Sequence, residues 1–107
     1  ILRVSSFLPQ PNNTNTFYKI SKGKDISLTK NSVNDVIYCE DIYKAIESNL
    51  NGTLYLVSRE PITIEDTAKL FKRSINYGKY HYNIGDIKSD IDIGKSSAQI
   101  LTEFFNL

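Results

Sequence analysis

Two adjacent carboxylates, Glu40 and Asp41, lie in the stretch VIYCEDIYKAI between apolar and aromatic residues. Two carboxylates can serve as general acid and general base, but only if they face one another across a substrate. Neighbouring residues at a junction between a strand and a helix point in different directions. Negative charge at such a junction instead complements the partial positive charge of a helix N-terminus. The sequence therefore predicts that Glu40 and Asp41 precede and cap a helix that begins at Ile42.

The other residue types able to perform chemistry do not combine into a site. His81 is the only histidine, and no Cys, Asp or Glu stands at metal-ligand spacing from it. Cys39 is the only cysteine, and its apolar surroundings favour packing over reactivity. The segment YGKYHY mixes aromatic and basic residues, as surfaces that stack bases do, but it is a single cluster. The residue types alone predict no catalytic residue and no metal ligand.

Composition narrows the class of protein. The 107 residues suit one small domain, with 40% hydrophobic and 23% charged residues. Thirteen basic and twelve acidic side chains are interspersed and give a net charge of +1, which argues against a nucleic-acid partner. There is no bilayer-spanning apolar run, no signal-peptide pattern and no second cysteine for a disulfide. We expect a cytoplasmic protein without a membrane partner.

The order of sequence patterns predicts an α/β fold in which strands and helices alternate. ILRVSSF and GTLYLVS are predicted strands, and the nearly continuous apolar run of the second predicts burial on both faces. FYKISKGK is predicted to form a short helix that ends at Gly23, and DISLTKNSVNDVIY two short extended pieces. Two strands cannot by themselves form a parallel sheet that is buried on both faces. The absence of Met and the apolar start, ILRVSS, also favour a piece of a longer protein.

Three further helices are expected. The first begins at Ile42, continues through Leu50 and stops at Asn51–Gly52. The second lies in ITIEDTAKLFKRSI, where Thr63 stands three residues before Asp66 and is predicted to cap it. Between the second and third helices, YGKYHYNIGDIKSDID is expected to contain a short strand with turns. The third helix is predicted to be capped by Asp92, and its apolar side to comprise Ile93, Ile100, Leu101, Phe104 and Phe105.

Taken in order, these segments resemble the C-terminal part of an extended short-chain dehydrogenase/reductase of the NAD(P)-dependent nucleotide-sugar epimerase/dehydratase family. ILRVSSFLP is similar to the family's LR strand and its R-x-S/G-N-V-Y-G-P segment. NDVIYCEDIYKAI is similar to R-D-F/Y-I-H/Y-V-x-D-x-A, GTLYLVS to G-x-Y-N-V-G-S, and ITIEDTAKLF to S/T-I-x-E/D-x-A. NIGDIKSDIDIGKSS is similar to R-P-G-D followed by D-x-x-K-A. Each motif is loose alone, but the five keep the family order over essentially all 107 residues.

The resemblance implies a fragment of a Rossmann-type α/β protein that contributes late strands of the parallel sheet and a small mixed α/β substrate lobe. Residues 1–107 would be a single C-terminal fragment, with 1–8 and 53–58 as strands of the nucleotide-binding sheet and 9–52 and 59–107 as the substrate-binding lobe. The family's Gly-rich fingerprint and its catalytic Tyr-x-x-x-Lys lie N-terminal to the matched region and do not occur here. The cofactor, NAD or NADP, would therefore be bound by the parent protein's own N-terminal Rossmann domain, and this chain alone would not catalyse.

The resemblance also implies three substrate-binding positions. The family's Asn after the LR strand falls at Ser6, whose hydroxyl can still form a hydrogen bond with less reach. Two family arginines that bind the nucleotide diphosphate fall at Asn34 and Asn83. These neutral amides cannot provide charge-assisted contacts. Two alternatives follow: a substrate without a diphosphate, or a charge supplied from a different place by Lys19, Lys22, Lys24 or Lys30. The residues that keep the family pattern are predicted to be architectural: Asp35, Asp41, Asp86, Asp92 and Lys95.

Different classes of function remain open at this point. The first is the substrate-binding portion of an epimerase, dehydratase or reductase, hence an isomerase, lyase or oxidoreductase, acting on a nucleotide sugar or related small molecule. The alternative is a non-catalytic relative that serves as a binding or scaffold protein, which the lost arginines favour. An unrelated α/β interaction module is the third. Family members often form homodimers through helices outside this region, which leaves the oligomeric state open.

Overall fold

Short strands and short helices alternate along the chain. The computed structural model describes residues 2–10, 15–48 and 52–107. Its strands are β1 Leu2–Val4, β2 Ser6–Leu8, β3 Val33–Asn34, β4 Val36–Tyr38, β5 Leu54–Leu56 and β6 Ile62–Thr63. Its helices are α1 Thr16–Ser21, α2 Cys39–Ser48, α3 Ile64–Phe71 and α4 Ser97–Phe104. For the helix predicted to begin at Ile42, the predicted end at Leu50 and Asn51 lies outside the described residues.

The strands form three two-stranded sheets within these residues. β1 and β5 are parallel, with Val4 opposite Leu56. β2 and β4 are also parallel, whereas β3 and β6 are antiparallel. The predicted single strand ILRVSSF is thus two strands, because at Ser5 the chain leaves its pairing with β5 and begins pairing with β4. The buried Ser5 still donates its backbone N–H to the Leu56 carbonyl at 3.2 Å.

Two apolar clusters hold these elements together. The larger lies between α1, α3, α4 and the β2–β4 pair, and its fully buried side chains are Leu8, Phe17, Ile20, Val36, Ile64, Ile100 and Leu101. Tyr18, Phe71, Phe104 and Phe105 extend it with edge-to-face ring contacts. The smaller cluster packs α2 on the strands through Ile37, Ala45, Leu54 and Leu56. None of the helices in the described ranges has the length and hydropathy needed to cross a bilayer.

A strand is followed directly by a helix next to Glu40 and Asp41, as predicted, but α2 starts earlier than the predicted Ile42. The helix begins at Cys39, so Glu40 and Asp41 lie in its first turn and do not precede it. Both charges complement the free N–H groups there. Burial raises the pKa of Asp41, and the Lys44 charge opposes that shift. Along the predicted apolar stripe, Ala45 is buried but Ile46 is 44% exposed.

One helix cap is as predicted and another is not. Thr63 caps α3, and its Oγ1 accepts a hydrogen bond from the Asp66 N–H at 3.1 Å. The prediction that Asp92 caps α4 is wrong, because Ser96 does so. Ser96 and Gln99 form a reciprocal capping box, which satisfies two N–H groups at once. Of the predicted apolar side of this helix, Ile93 and Phe105 lie outside α4 but pack against the same core.

Two predictions about strands need correction. β5 is covered on one face only, because Leu54 and Leu56 are buried while Tyr55 is 38% exposed. The aromatic segment after α3 contains isolated bridges, Leu28 to Tyr80 and Val33 to Asn83, where a short strand was expected.

Candidate functional site

A groove runs along the carboxyl ends of the parallel strands β1 and β5. Its largest pocket, about 290 Å³, is lined by residues of both strands and by Tyr82, Ile84 and Ile87. A second pocket of about 220 Å³ adjoins it, since both include Val57 and Ile87. A small polar pocket of about 40 Å³ shares those same two residues. We call these three pockets the β1–β5 groove; ligands of open α/β sheets bind outside the carboxyl ends of the strands.

One wall of the groove is the loop of residues 82–92. Hydrogen bonds connect this loop to β3 and to β5. Val33 donates its N–H to the Tyr82 carbonyl at 2.8 Å. Farther along, the Asp90 carboxylate accepts the Tyr55 N–H at 2.8 Å, and the Asp90 N–H returns to the Tyr55 carbonyl at 2.9 Å. The Ser89 hydroxyl accepts the Val57 N–H at 3.2 Å. The loop therefore occupies the outer hydrogen-bonding edge of β5.

A buried carboxylate anchors the floor of the groove. Asp35, 1% exposed, accepts the Ser58 N–H at 2.8 Å and the Ser58 hydroxyl at 2.5 Å. Ser58 Oγ lies 2.9 Å from Ser97 Oγ, and Ser97 Oγ accepts the Val36 N–H at 3.1 Å. Because a carboxylate only accepts, the hydroxyl protons run in one direction, from Ser97 to Ser58 to Asp35. This chain ties β4, the end of β5 and α4 together and fits the architectural role predicted for Asp35.

Arg59 directly follows Ser58 of this network in the sequence and lines two of the three groove pockets. Its Nε and one Nη form a bidentate pair with Asp92, at 2.8 and 2.6 Å. The Arg59 hydrogen bonds, followed by the Gly94 N–H, lower the pKa of Asp92 to about 2. The pKa of Arg59 is raised by the same hydrogen bonds. Asp92 is therefore a local ion-pair partner, as its predicted architectural role implies, although it is not a helix cap.

The Arg59–Asp92 pair predicts the acid titration of Asp92. Arg59→Met should move the pKa of Asp92 from about 2 back towards its ordinary value of 3.8. Because the folded-state value is depressed, the pair stabilises the fold above pH 3.8, and this contribution disappears as pH falls through about 2. The Asp92 carboxyl carbon shift, followed by NMR across this range in both proteins, measures the change. An unchanged midpoint would contradict the pairing.

A second polar cluster lies away from the groove, between β4 and α4. The Tyr38 hydroxyl donates to Glu103 at 2.9 Å, and Lys95 Nζ lies 2.6 Å from the same carboxylate oxygen. Lys95 Nζ also stands 5.3 Å from the centre of the Tyr38 ring. Burial, followed by the Glu103 hydrogen bond, raises the pKa of Tyr38 to about 12. Tyr38 thus stays protonated at neutral pH and acts as a donor that holds α4 against β4.

The structure brings two of the three predicted substrate-binding residues onto adjacent segments. Asn83 bridges to Val33, which places it next to the segment that carries Asn34. Asn34 is 8% exposed and accepts the Asp35 N–H at 2.8 Å, while Asn83 accepts the Gly85 N–H at 2.8 Å. Ser6 begins β2, opposite Val36. None of the three is among the residues that line the described groove pockets.

The cationic residues that do line the groove were not predicted. They are Arg3 in β1, Arg59 after β5 and Lys88 in the loop. Arg59 follows the strand GTLYLVS directly, and a position just beyond the carboxyl end of a parallel strand is a sequence signal for a site residue. Lys88 carries no comparable signal. Its position depends on how the loop packs against β5.

His81 and Cys39 each have a side-chain partner. The His81 ring nitrogen Nδ1 lies 2.9 Å from Thr29 Oγ1. Cys39 opens α2 and hydrogen-bonds the Tyr43 hydroxyl one turn later, which raises the pKa of Tyr43. Within residues 2–10, 15–48 and 52–107, no three His, Cys, Asp or Glu side chains converge on a possible metal position.

Comparison with known proteins gives structural matches without sequence matches. No protein-family model matches the chain, and no curated protein matches it in sequence. It is similar in structure to a UDP-glucose 4-epimerase from Thermotoga maritima solved with UDP-glucose, at 16% identity and a TM-score of 0.58 over 98% of this chain. A UDP-N-acetylglucosamine 4-epimerase from Methanobrevibacter ruminantium, in complex with UDP-N-acetylmuramic acid, matches at 19% identity and 0.53 over 94%. The Bordetella bronchiseptica enzyme WbmG, in complex with NAD and UDP, matches at 13% and 0.53 over 97%.

These similarities confirm the predicted α/β fold of the Rossmann type, with its parallel strand pairs. The matched proteins are UDP-sugar 4-epimerases in two of the three cases, and the third was solved with NAD and UDP. The chain spans 45%, 38% and 37% of their respective lengths. At this level of identity the similarity establishes the fold.

Proposed function

We propose that this chain is the C-terminal, substrate-binding part of an NAD(P)-dependent nucleotide-sugar epimerase, dehydratase or reductase. The observation that carries the proposal is the β1–β5 groove, which lies at the carboxyl ends of parallel strands in a fold similar to that of UDP-sugar epimerases. The two larger pockets together have the size of a small-molecule site. In this proposal the chain binds the substrate, and the reacting groups come from the rest of the protein.

The free edge of β1 supports the proposal that further strands of the sheet come from another part of the protein. In the parallel register, Arg3 and Ser5 direct their backbone groups at β5, so those of Val4 point to the opposite edge. No hydrogen bond within the described residues covers the Val4 N–H and C=O. The outer edge of β5, by contrast, is occupied by Ser89 and Asp90. We infer that the parent protein's own N-terminal Rossmann domain continues the sheet at β1.

The residues of this chain do not fit a dinucleotide. A pyrophosphate is usually bound by a Gly-rich turn and the N-terminus of the helix after a strand. Here α2 and α3 follow strands directly, and their first turns carry Glu40, Asp41, Glu65 and Asp66, whose charges repel phosphate. The cofactor, NAD or NADP, is therefore assigned to the proposed N-terminal domain. There it would carry the hydride.

The second candidate function is a non-catalytic binding or scaffold protein of the same fold. The side chains of Asn34 and Asn83 favour it. Asn34 and Asn83 stand where the resemblance implies diphosphate-binding arginines. Both use their side-chain oxygens for local backbone hydrogen bonds, to Asp35 and Gly85. A relative that no longer binds a nucleotide sugar would tolerate such replacements.

Thermal melting of the full-length gene product separates the two candidates. It is measured with NAD(H), NADP(H), UDP-glucose and UDP-N-acetylglucosamine, each added alone. A ligand at about 100 times its dissociation constant stabilises the folded state by roughly 2.7 kcal/mol. The enzyme proposal expects stabilisation by one dinucleotide and at least one sugar nucleotide. Uridine serves as the control without phosphate.

The other results of the melting experiment identify the substrate class or decide between the two candidate functions. Stabilisation by a dinucleotide and by no sugar nucleotide would mean that the substrate lacks the usual diphosphate. No shift with any dinucleotide or sugar nucleotide would overturn the enzyme proposal in favour of the non-catalytic relative.

A further inference from the structure

The β1–β5 groove carries positive charge at positions that the resemblance does not predict. Arg59 lines the 220 Å³ pocket at the end of β5, and Lys88 lines it from the loop. Asp92 is the only carboxylate among the described residues that line this pocket. The lining of this pocket therefore carries two cations and one anion, while the buried Asp35 lines the adjoining 40 Å³ pocket together with Arg59. Both predicted diphosphate positions, Asn34 and Asn83, are neutral.

Arg59 is held in place and still has donors to offer. A guanidinium has five N–H donors in a planar fork. The two hydrogen bonds to Asp92 occupy one side of that fork and leave three donors for other partners. A guanidinium fixed by a carboxylate loses less conformational freedom when it binds a ligand. Asp92 thus positions Arg59 at the pocket.

Lys88 contributes a charge with no competing ion pair, since no described carboxylate lies within salt-bridge distance of its ammonium group. The two cations reach the pocket from separate segments, the end of β5 and the loop that seals its edge. Most of the residues that line the neighbouring 290 Å³ pocket are aromatic or apolar, among them Tyr55 and Tyr82, and Arg3 is its one cation. The groove therefore offers a pocket with two cations, Arg59 and Lys88, beside a pocket with mainly aromatic and apolar lining residues.

We propose that Arg59 and Lys88 bind the diphosphate of the ligand and so replace the two arginines missing at positions 34 and 83. This inference rests on the proposed function for the identity of the ligand, a nucleoside diphosphate sugar. The diphosphate lies in the pocket between Arg59 and Lys88, and an uncharged part of the ligand packs beside Tyr55 and Tyr82. Arg59 and Lys88 then determine specificity for phosphorylated over neutral substrates.

Calorimetric titration of the full-length protein with inorganic pyrophosphate tests the site directly. Arg59→Met and Lys88→Met are each expected to weaken pyrophosphate binding by about tenfold or more, because each removes a charge-assisted contact. Lys44→Met, an exposed change on α2 outside the groove, is the matched control and should leave the affinity unchanged. Circular dichroism melting verifies that all three variants remain folded. Exposed ion pairs such as Arg59–Asp92 contribute little stability.

Titrations with UDP-glucose and NAD distinguish the two sources of a diphosphate. A loss of UDP-glucose affinity without a loss of NAD affinity supports the proposed assignment. If Arg59→Met weakens NAD binding instead, the pocket between Arg59 and Lys88 serves the cofactor and the assignment to substrate is overturned.

The site itself is overturned if the wild-type protein does not bind pyrophosphate at millimolar concentration, or if both Met variants bind it as tightly as the wild type. The proposed function fails by a different result. Pyrophosphate binding that depends on Arg59, in a protein that no dinucleotide stabilises, leaves the anion site in place and removes the dehydrogenase/reductase assignment.

Discussion

Asp35→Ala is expected to lower the free energy of unfolding by about 3 kcal/mol or more, the largest single effect that we predict. The substitution removes the acceptor of both the Ser58 N–H and the Ser58 hydroxyl in a fully buried place. A buried donor left without a partner costs about 1–3 kcal/mol. Urea unfolding, followed by circular dichroism, measures the loss.

Asp35→Asn provides the informative comparison. Its amide oxygen can still accept the Ser58 N–H, and its NH₂ can donate to Ser58 Oγ. The Ser58 hydroxyl is then free to donate to the Glu60 carbonyl, which lies 2.8 Å away. We therefore expect a loss of about 1 kcal/mol for the amide. Asp86→Ala, at an exposed aspartate of the same predicted pattern, should change stability by less than about 0.5 kcal/mol.

Equal stabilities for Asp35→Ala and Asp86→Ala would contradict the network. If Asp35→Ala does not yield folded protein, Ser97→Ala tests the same chain from its other end. That variant leaves the buried Val36 N–H without its acceptor, at an expected cost of about 1–3 kcal/mol.

Gly78→Ala is the second substitution with a large expected effect. A Cβ atom at this position would lie 2.1 Å from the Ser27 carbonyl oxygen and 2.5 Å from the Ser27 Cα. Backbone atoms cannot move aside as a flexible side chain can, so the two segments must separate. Two hydrogen bonds would be strained, from the Gly78 N–H to Leu28 at 2.9 Å and from the Tyr80 N–H to Ser27 at 3.0 Å. We expect a loss of about 2–3 kcal/mol.

Amide hydrogen exchange locates this effect. The Tyr80 amide should exchange much faster in Gly78→Ala than in the wild type, while the amides of α4 keep their relative order of protection. Lys79→Ala, at the exposed neighbouring position, is the matched control and should exchange as the wild type does. Unchanged protection at Tyr80 in Gly78→Ala would mean that the two segments are not in close contact.

The elements with local signals could be predicted, and those that depend on distant partners could not. Thr63 caps α3 because its partner is the N–H three residues later, a relation visible in the sequence. Ser96 and Gln99 follow the same rule, and the capping prediction failed because Asp92, a few residues earlier, also fits the cap preference. Asp92 instead pairs with Arg59, which is 33 residues away along the chain.

The candidate site likewise depends on contacts between residues that are far apart in the sequence. Asn83 lies next to the segment that carries Asn34, because Val33 and Asn83 form a bridge between segments 50 residues apart in the chain, which no local pattern predicts. Whether either amide contacts a substrate remains a prediction. The pocket between Arg59 and Lys88 arises only when the loop of residues 82–92 packs against β5. Gly78 is similar, because its requirement for a bare Cα comes from Ser27, on a segment before β3.

The hydrogen bonds from the loop to β5 also bear on self-association. A parallel strand with an uncovered edge is a template on which another copy of the chain can add a strand, and such additions lead to aggregates. Ser89 and Asp90 fill this edge with a hydroxyl, a carboxylate and one backbone amide, so an incoming strand would first have to displace them. The folded chain thereby protects the outer edge of β5 against the addition of a strand from another copy.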